Sequence, residues 1–474
     1  MEFSNRKVIV VSNRLPIAIF KNESGGWEIK PGTGGLVTAL EPIVRKSKGL
    51  WIGWSGYGEN APSDEILADY GEKNNFKLVP VDITEKEIAQ YYRGFSNKSI
   101  WPLFHDMLGH FSYNFTNLNT YKDVNRKFAE KVAEYAGEND IIWIHDYQLI
   151  CVGRYLRELG IKRNLNFFLH IPFPSYDLFR RFPHNREMIE ALLSYNHIGF
   201  QTAIDRRNFI SSVKWLLPDT ITTANRRQTK IQYEGNETIV GYYPISIDFN
   251  EFNEASKSRE AADAAWYLRE NTNVDILALG LDRLDYTKGI PERFLAFERL
   301  LEKYPDTVGK ISFLQIVVPS RLNVREYQDL KDELDSLVGR INSRFSIHGW
   351  VPIHYQFRTL NRIQLIGHYK AIDIALVTPL RDGMNLISKE YCASTSDNRG
   401  VLILSEFAGA AAQLSKGALM VNPYDFDQTA DALYQAFNMD HEEKARRMRL
   451  MRSEIRRNDL NRWVRWFFRE EYRQ

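Results

Sequence analysis

Short apolar runs recur along this chain between longer stretches whose apolar residues repeat at helical spacing, and that alternation narrows the fold more than any other feature. In the first half the runs are Val8–Val11, Ile141–Ile144, Phe167–His170 and Ile198–Gln201. In the second they are Ile276–Gly280, Ile311–Val318, Ile374–Val377 and Val401–Leu404. They are largely apolar on both faces, which suits parallel strands covered by helices on both sides. Leu36, Val37, Leu40, Ile43 and Val44 mark one helical stripe, and Phe294, Phe297, Leu300 and Leu301 another. Strand–helix alternation over 474 residues, too many for one ordinary core, predicts two doubly wound α/β domains. A boundary falls near Tyr242–Asp248, between a polar, irregular stretch (Thr222–Glu237) and a charged helical segment (Asn250–Asn271). The domains are then 1–246 and 247–456, and the aromatic-rich end, Leu460–Tyr472, reads as a terminal helix docked on a core.

Lysine and arginine (62) nearly balance aspartate and glutamate (60), for a net charge of +2. That balance argues against nucleic-acid and membrane-surface partners. The basic run Lys444–Arg457 reads as a solvated helix face. Two cysteines, Cys151 and Cys392, make neither a disulfide framework nor a zinc site by themselves, so a reducing cytoplasm is the expected compartment. No apolar signal region precedes the first strand, and no apolar run approaches the ~20 residues of a membrane span.

The chemistry concentrates at strand ends. Thr378–Tyr391 follows the run Ala371–Val377, which has one polar interruption at Asp373. It supplies a carboxylate at Asp382, a glycine turn at Gly383 and backbone amides at Met384, Asn385 and Leu386 that open a helix. A second carboxylate, Glu390, stands less than two turns further on. A glycine turn before a helix N-terminus suits a phosphate, and two carboxylates suit sugar hydroxyls; a plain capping turn is the other reading. Asp282–Gly289 directly follows Ile276–Gly280, at the sheet edge where ligands bind. Arg283 and Lys288 can converge there on a diphosphate, although a surface salt-bridge loop with Asp282 and Asp285 also fits the composition.

Ser12-Asn13-Arg14 with Gly32-Thr33-Gly34-Gly35-Leu36 offers another anion cradle, or a simple glycine turn, without the GxGxxG dinucleotide pattern. Asp146 and His170 each end an apolar strand, where a structural hydrogen-bonded histidine is the commoner outcome. Tyr91, Tyr92, Phe95 and Trp101 suit the face of a sugar ring or a packed core. Asp425-Phe426-Asp427 has the DxD spacing of some metal-dependent transferases, but helix capping explains it better and no metal is expected. HExxH, nucleophile-elbow and Walker A patterns are absent.

In this order the segments closely resemble the trehalose-6-phosphate synthases of retaining glycosyltransferase family 20, from Ser12-Asn13-Arg14 to Asn422-Pro423-Tyr424-Asp425. The resemblance implies the α/β fold called GT-B, with two Rossmann-like domains facing a cleft. The first would bind the acceptor and the second the nucleotide sugar, and a C-terminal helix of about residues 457–474 would cross back to the first. The implied reaction moves glucose from a nucleotide-glucose, UDP-glucose foremost, to glucose 6-phosphate, with retention and without cofactor or metal.

Arg283 and Lys288 would hold the diphosphate, and Glu390 the ribose. Asp382 would bind glucose hydroxyls, with the amides of Gly383, Met384, Asn385, Leu386 and Ile387 nearby. His170 would reach the donor glucose from the first domain. Arg14 and Arg321 would pair with the acceptor phosphate, while Tyr92, Trp101 and Asp146 position its ring. Gly34 and Gly35, on the donor side, and Trp54, on the acceptor side, would line the cleft. Arg283, Lys288, Asp382, His170 and Asp146 form the implied catalytic set.

A separate phosphatase is expected downstream, since no phosphatase domain follows residue 474, and a homo-oligomer is compatible with the pattern. After Trp101–His105 the chain reads Asp106-Met107-Leu108-Gly109-His110, where many of these synthases carry a tyrosine and a basic residue. Phe111–Asn125 resembles the glucosylglycerol-phosphate synthases instead. One alternative therefore keeps the fold with glycerol 3-phosphate as acceptor and ADP-glucose as donor. Another is a non-catalytic sugar-nucleotide-binding regulatory subunit, which the presence of Arg283, Lys288, Asp382 and Glu390 disfavours.

Overall fold

A computed structural model describes residues 6–21, 27–32, 35–56, 64–162, 165–225, 228–272, 274–322 and 324–469. By internal contacts the chain forms two compact units, Met1–Pro244 with Val464–Gln474, and Ile245–Trp463.

The strands of the first unit are β1 (Val8–Arg14), β2 (Ile17–Lys21), β3 (Trp27–Pro31), β4 (Leu50–Trp54), β5 (Lys77–Pro80), β6 (Ile141–His145), β7 (Leu165–Phe168), β8 (His197–Phe200), β9 (Ile221–Ala224), β10 (Gln228–Tyr233) and β11 (Asn236–Tyr242). β2 and β3 form a separate antiparallel pair, and the rest make a nine-stranded sheet in the order β5-β4-β1-β6-β7-β8-β11-β10-β9. All pairs from β5 to β11 are parallel, and only β10 and β9 run antiparallel to their neighbours. The chain builds outward from β1 to β5 and then resumes on the other side of β1 at β6. The carboxyl ends of β1 and β6 therefore flank the reversal point, where doubly wound sheets bind ligands. Every residue of β4, β6 and β7 is buried, which is why their sequences run apolar without alternation.

Four expectations need correction. Thr222–Glu237 is not irregular: it forms most of β9 and β10 and the start of β11. The β10–β11 hairpin turns at Glu234 (φ 46°) and Gly235 (φ 79°), the left-handed pair that matches strand twist. Polar composition hid these strands because they lie at the sheet edge, with one face of β10 exposed in alternation. The run expected at Phe167–His170 ends as a strand at Phe168, which leaves His170 in the loop beyond. Asn250–Asn271 is two helices, Phe249–Ala255 and Arg259–Glu270, because the Ser258 hydroxyl accepts from Ala261 N–H and starts the second (3.2 Å). The chain rejoins the first unit at Val464 and not at about residue 457, because the helix His441–Arg457 buries Met448, Met451 and Ile455 in the second unit. Beyond that point Phe467 stacks on Trp143 (4.9 Å) and His197 (4.3 Å) in the first unit. Burial of such a ring contributes about 1.5–3 kcal/mol.

In the second unit the strands are β12 (Ile276–Arg283), β13 (Ile311–Val318), β14 (Ile353–Phe357), β15 (Ile374–Val377), β16 (Val401–Ser405) and β17 (Leu419–Val421). They form an all-parallel sheet ordered β14-β13-β12-β15-β16-β17, the Rossmann arrangement with its reversal between β12 and β15. The polar interruption at Asp373 has a structural use. Its carboxylate accepts from Leu277 N–H of β12 (2.9 Å) and pairs with Arg269, fixing β15 beside β12. Asp425 caps the helix Phe426–Phe437 through Gln428 N–H (2.9 Å), and Asp427 pairs with Arg299 (2.8 Å). No group of three or more metal-ligating side chains occurs among the described residues. Nor, among them, is any helix long and apolar enough to cross a membrane. Cys151 and Cys392 are buried free thiols, each pushed up to about 12 by burial.

Candidate active site

In the second unit the two loops that leave the reversal point carry most of the charged residues singled out in the sequence. The loop after β12 turns through Tyr286–Lys288, where Asp285 accepts from Thr287 N–H (3.0 Å) and its hydroxyl (2.9 Å). Gly289 follows with φ 64°, and a Cβ there would stand 2.4 Å from the Thr378 carbonyl oxygen, so the close pass of the two loops requires glycine. Leu380 N–H donates to the Thr287 carbonyl (2.9 Å) and ties the loops together. Across this join Lys288 Nζ lies 2.6 Å from Asp382 Oδ2, and Asn385 Nδ2 donates to the same oxygen (3.1 Å). Asn385 is left-handed (φ 70°) and starts the helix Leu386–Ser394. The first amides of that helix lack intrahelical acceptors and carry its positive dipole end. Glu390, half-buried, accepts from the Tyr369 hydroxyl (2.9 Å), and burial raises its carboxyl above the usual range.

Arg283 is exposed at the end of β12. Arg321, in the loop after β13 with φ 51°, bonds the Tyr327 hydroxyl and stands 3.9 Å from Asp285. Asp285 is buried. Burial opposes its ionisation, but Arg321, Lys288 and Arg283 outweigh that and hold its carboxyl below the usual range. Arg283, Lys288, Arg321, Asp382 and Glu390 thus all belong to the loops and helix at one sheet edge of the second unit. Three cations and a helix N-terminus at one edge suit a diphosphate, since each charge pair at about 4 Å is worth about 4 kcal/mol near a protein surface.

In the first unit the reversal point lies between β1 and β6. Arg14, exposed at the end of β1, places its guanidinium 4.4 Å from the Trp54 ring, and Trp54 meets Tyr92 edge-on at 6.1 Å. Tyr92 sits on a π-helix, Ile88–Ile100, whose last turn closes from Trp101 N–H to the Ser96 carbonyl. Such wide turns concentrate at functional sites. Buried Tyr91, its neighbour, donates to Asn13 Oδ1 (2.8 Å) and locks this helix to β1. Trp101 packs against His105 (4.1 Å) and Tyr147 (5.5 Å). Asp146 follows β6 in a backbone conformation (φ 77°, ψ 170°) that is otherwise almost confined to glycine. Its N–H donates to the Phe168 carbonyl (2.8 Å), and its Oδ1 accepts from His170 N–H (3.2 Å). His170 is lowered to about 3 by burial and is neutral at physiological pH. Gly35 opens the helix Gly35–Lys46, while Gly34 lies outside the described residues.

The sequence model of glycosyltransferase family 20 matches residues 6–473. The chain belongs to glycosyltransferase family 20. It is 40% identical to a trehalose-6-phosphate synthase of Mycolicibacterium vanbaalenii over 97% of this chain and 94% of that one. It also superimposes on the crystal structure of an α,α-trehalose-phosphate synthase (UDP-forming) from Burkholderia xenovorans in complex with glucose-6-phosphate. There the TM-score is 0.87, with 35% identity over 98% of this chain and 99% of that one. A third match is the structure described as "Trehalose-6-phosphate from E. coli bound with UDP-2-fluoro glucose", with a TM-score of 0.88 and 35% identity over 99% of both chains. The fold is of the GT-B class, α/β with two parallel-sheet units.

Within this family 20 chain several residues that the sequence reading passed over hold the site together. Arg293 is almost fully buried and donates to Asp282 (2.6 Å), Gln315 (3.0 Å), Thr378 (3.0 Å) and the Lys288 carbonyl (3.2 Å). It therefore ties β12, β13, the exit of β15 and the Lys288 turn together. Gly280 leaves room for this hub, because a Cβ there would lie 2.1 Å from Gln315 Oε1. The legible signal was an arginine beside the apolar stripe Ile290, Phe294, Phe297 and Leu301. Gly409, after β16, backs the Asp382 turn: its N–H donates to the Asp382 carbonyl (3.1 Å), and a Cβ would be 1.8 Å from the Gly383 oxygen.

Proposed function

We propose that this chain is a retaining glucosyltransferase that moves glucose from UDP-glucose to glucose 6-phosphate, giving trehalose 6-phosphate and UDP. The observation that carries the reading is the Lys288–Asp382 pair at the reversal point of an all-parallel sheet, beside the N-terminus of the helix Leu386–Ser394. The relatives bound to glucose-6-phosphate and to UDP-2-fluoro glucose support the choice of substrates.

As the anomeric C–O bond breaks, negative charge grows on the leaving diphosphate. Arg283, Lys288 and the helix N-terminus, with the amides of Gly383, Met384, Asn385, Leu386 and Ile387, stabilise it. Asp382 is already engaged by Lys288 and Asn385, which favours an anchor for glucose hydroxyls over a covalent nucleophile. The acceptor oxygen forms the new bond on the face that the diphosphate leaves, and its proton passes to a diphosphate oxygen, so the configuration is kept. Glu390 holds the ribose, and His170 contacts the donor glucose as a neutral ring. Arg14 and Arg321 hold the acceptor phosphate. Trp54, Tyr92, Trp101 and Asp146 position the acceptor, and Gly34 and Gly35 approach the donor. We place the enzyme in the cytoplasm, where buried thiols such as Cys151 and Cys392 stay reduced. A separate phosphatase consumes the phosphomonoester product.

The test is nucleotide release with UDP-, ADP- and GDP-glucose, each against glucose 6-phosphate and glycerol 3-phosphate. Release should be fastest with UDP-glucose and glucose 6-phosphate, and trehalose 6-phosphate should accumulate. Faster turnover with glycerol 3-phosphate, or none with either acceptor, would sink the assignment.

A further inference from the structure

His145 ends β6 fully buried, walled by Trp143 (ring centroids 4.5 Å) and Phe168 (6.5 Å). A phenylalanine would fill such a pocket and leave no polar atom behind. The imidazole instead buries its Nε2 with no hydrogen-bond partner among the described residues, at a desolvation cost. The nitrogen that has a partner is Nδ1, which lies 3.0 Å from His170 Nε2.

We propose that His145 is a positioning residue that fixes the ring plane and the tautomer of His170. The inference rests on the role given to His170 under the proposed function. Burial holds His145 well below the usual imidazole range and His170 at about 3, so both rings are neutral and a single proton lies between them. One nitrogen must then donate and the other accept. If His145 Nδ1 donates, its Nε2 keeps only a lone pair against the aromatic wall. The reverse arrangement buries an unpaired N–H, the rarer kind of orphan. His170 therefore accepts at Nε2 and carries its proton on Nδ1. That nitrogen lies 3.4 Å from Gln201 Nε2, so the amide must turn by half a revolution to bring its oxygen to the proton. The outcome is a neutral ring of fixed plane and tautomer, and not an imidazolium, beside a sugar whose anomeric carbon becomes positive in the transition state.

The test compares the full-length wild type with His145→Phe, which fills the pocket but removes Nδ1, and His145→Asn, whose amide nitrogen takes the place of Nδ1. His145→Phe should lower kcat about tenfold to a hundredfold, and His145→Asn should regain most of that loss. The acceptor KM should change less than about twofold in both. Long-range 1H–15N spectra of 15N-histidine-labelled protein, with His170 assigned from His170→Gln, should show the Nδ1–H tautomer in the wild type and in His145→Asn. The same spectra of His145→Phe should show a mixture. Wild-type kcat in His145→Phe overturns the proposal, as does equal loss in both variants or an Nε2–H His170 in the wild type. The spectra need no turnover, so a wild type that releases no UDP counts against the proposed function and leaves this inference to be decided by the tautomer.

Discussion

Six parallel strands of each unit follow one order about one reversal point, the first unit adding a seventh at β11, yet their strand ends carry different chemistry. In the second unit charge ties the strand ends: Lys288 with Asp382 joins the loops after β12 and β15, Arg321 after β13 stands beside Asp285, and Arg293 is buried on Asp282 of β12. In the first unit the corresponding ends carry one exposed arginine over an indole, an edge-on tyrosine, a strained aspartate and two neutral imidazoles. The sheet order decides where a ligand can sit, and the loop residues decide which ligand it is. A charged edge suits a leaving diphosphate. A ring-lined edge with a single arginine suits a monophosphate sugar, whose apolar face needs stacking more than charge.

Breaking the charged side should have the largest effect. Lys288→Ala removes a cation proposed to face the leaving group and should lower kcat by about a thousandfold while the circular dichroism spectrum stays unchanged. Turnover near the wild-type rate at saturating donor would remove Lys288 from the diphosphate site. Next is the backing of the same loop. Gly409→Ala forces a Cβ against the Gly383 carbonyl and should raise the donor KM about tenfold and lower the melting temperature. Gly339→Ala, where an added Cβ meets nothing within 4 Å, serves as the control with neither change.

Arg321 belongs to the second unit, yet the proposed function gives it the acceptor phosphate. Arg14→Ala and Arg321→Ala should each raise the acceptor KM about tenfold and leave the donor KM within about twofold. Equal effects of Arg321→Ala on both constants would return it to the charge cluster around Asp285. The smallest effect concerns stability. His197 is buried and lowered to about 3, against about 6.5 in an unfolded chain. The unfolded state therefore takes up a proton that the folded state refuses, and stability falls as pH drops from about 6.5 toward 3. His197→Phe should remove about 1–2 kcal/mol of the difference between urea unfolding at pH 7 and at pH 5. An unchanged difference would show that His197 is not kept neutral by the fold.

Much of this was readable in one dimension because strand-end loops are continuous in sequence. Asp282–Gly289 and Thr378–Tyr391 each follow an apolar strand, so their place at a sheet edge follows from local pattern alone. The edge strands β9 and β10 were missed because a half-exposed strand is polar by composition, although Glu234-Gly235 marked the turn. The π-helix under Tyr92 has no compositional mark. Tyr91 on it bonds Asn13, 78 residues away, a contact no local pattern states.

The sequence alone determined the two α/β units, the strand ends that carry chemistry and the residue types placed there, since burial on both faces and glycine at tight turns are local demands. Only tertiary structure decided the pairings. It joined Lys288 to Asp382, 94 residues apart, set Arg293 under four segments, put Arg321 beside Asp285 and placed His145 against His170. The physical reason is that hydrogen bonds and ion pairs act over a few ångströms, and strand order, which no local pattern states, decides which loops come that close.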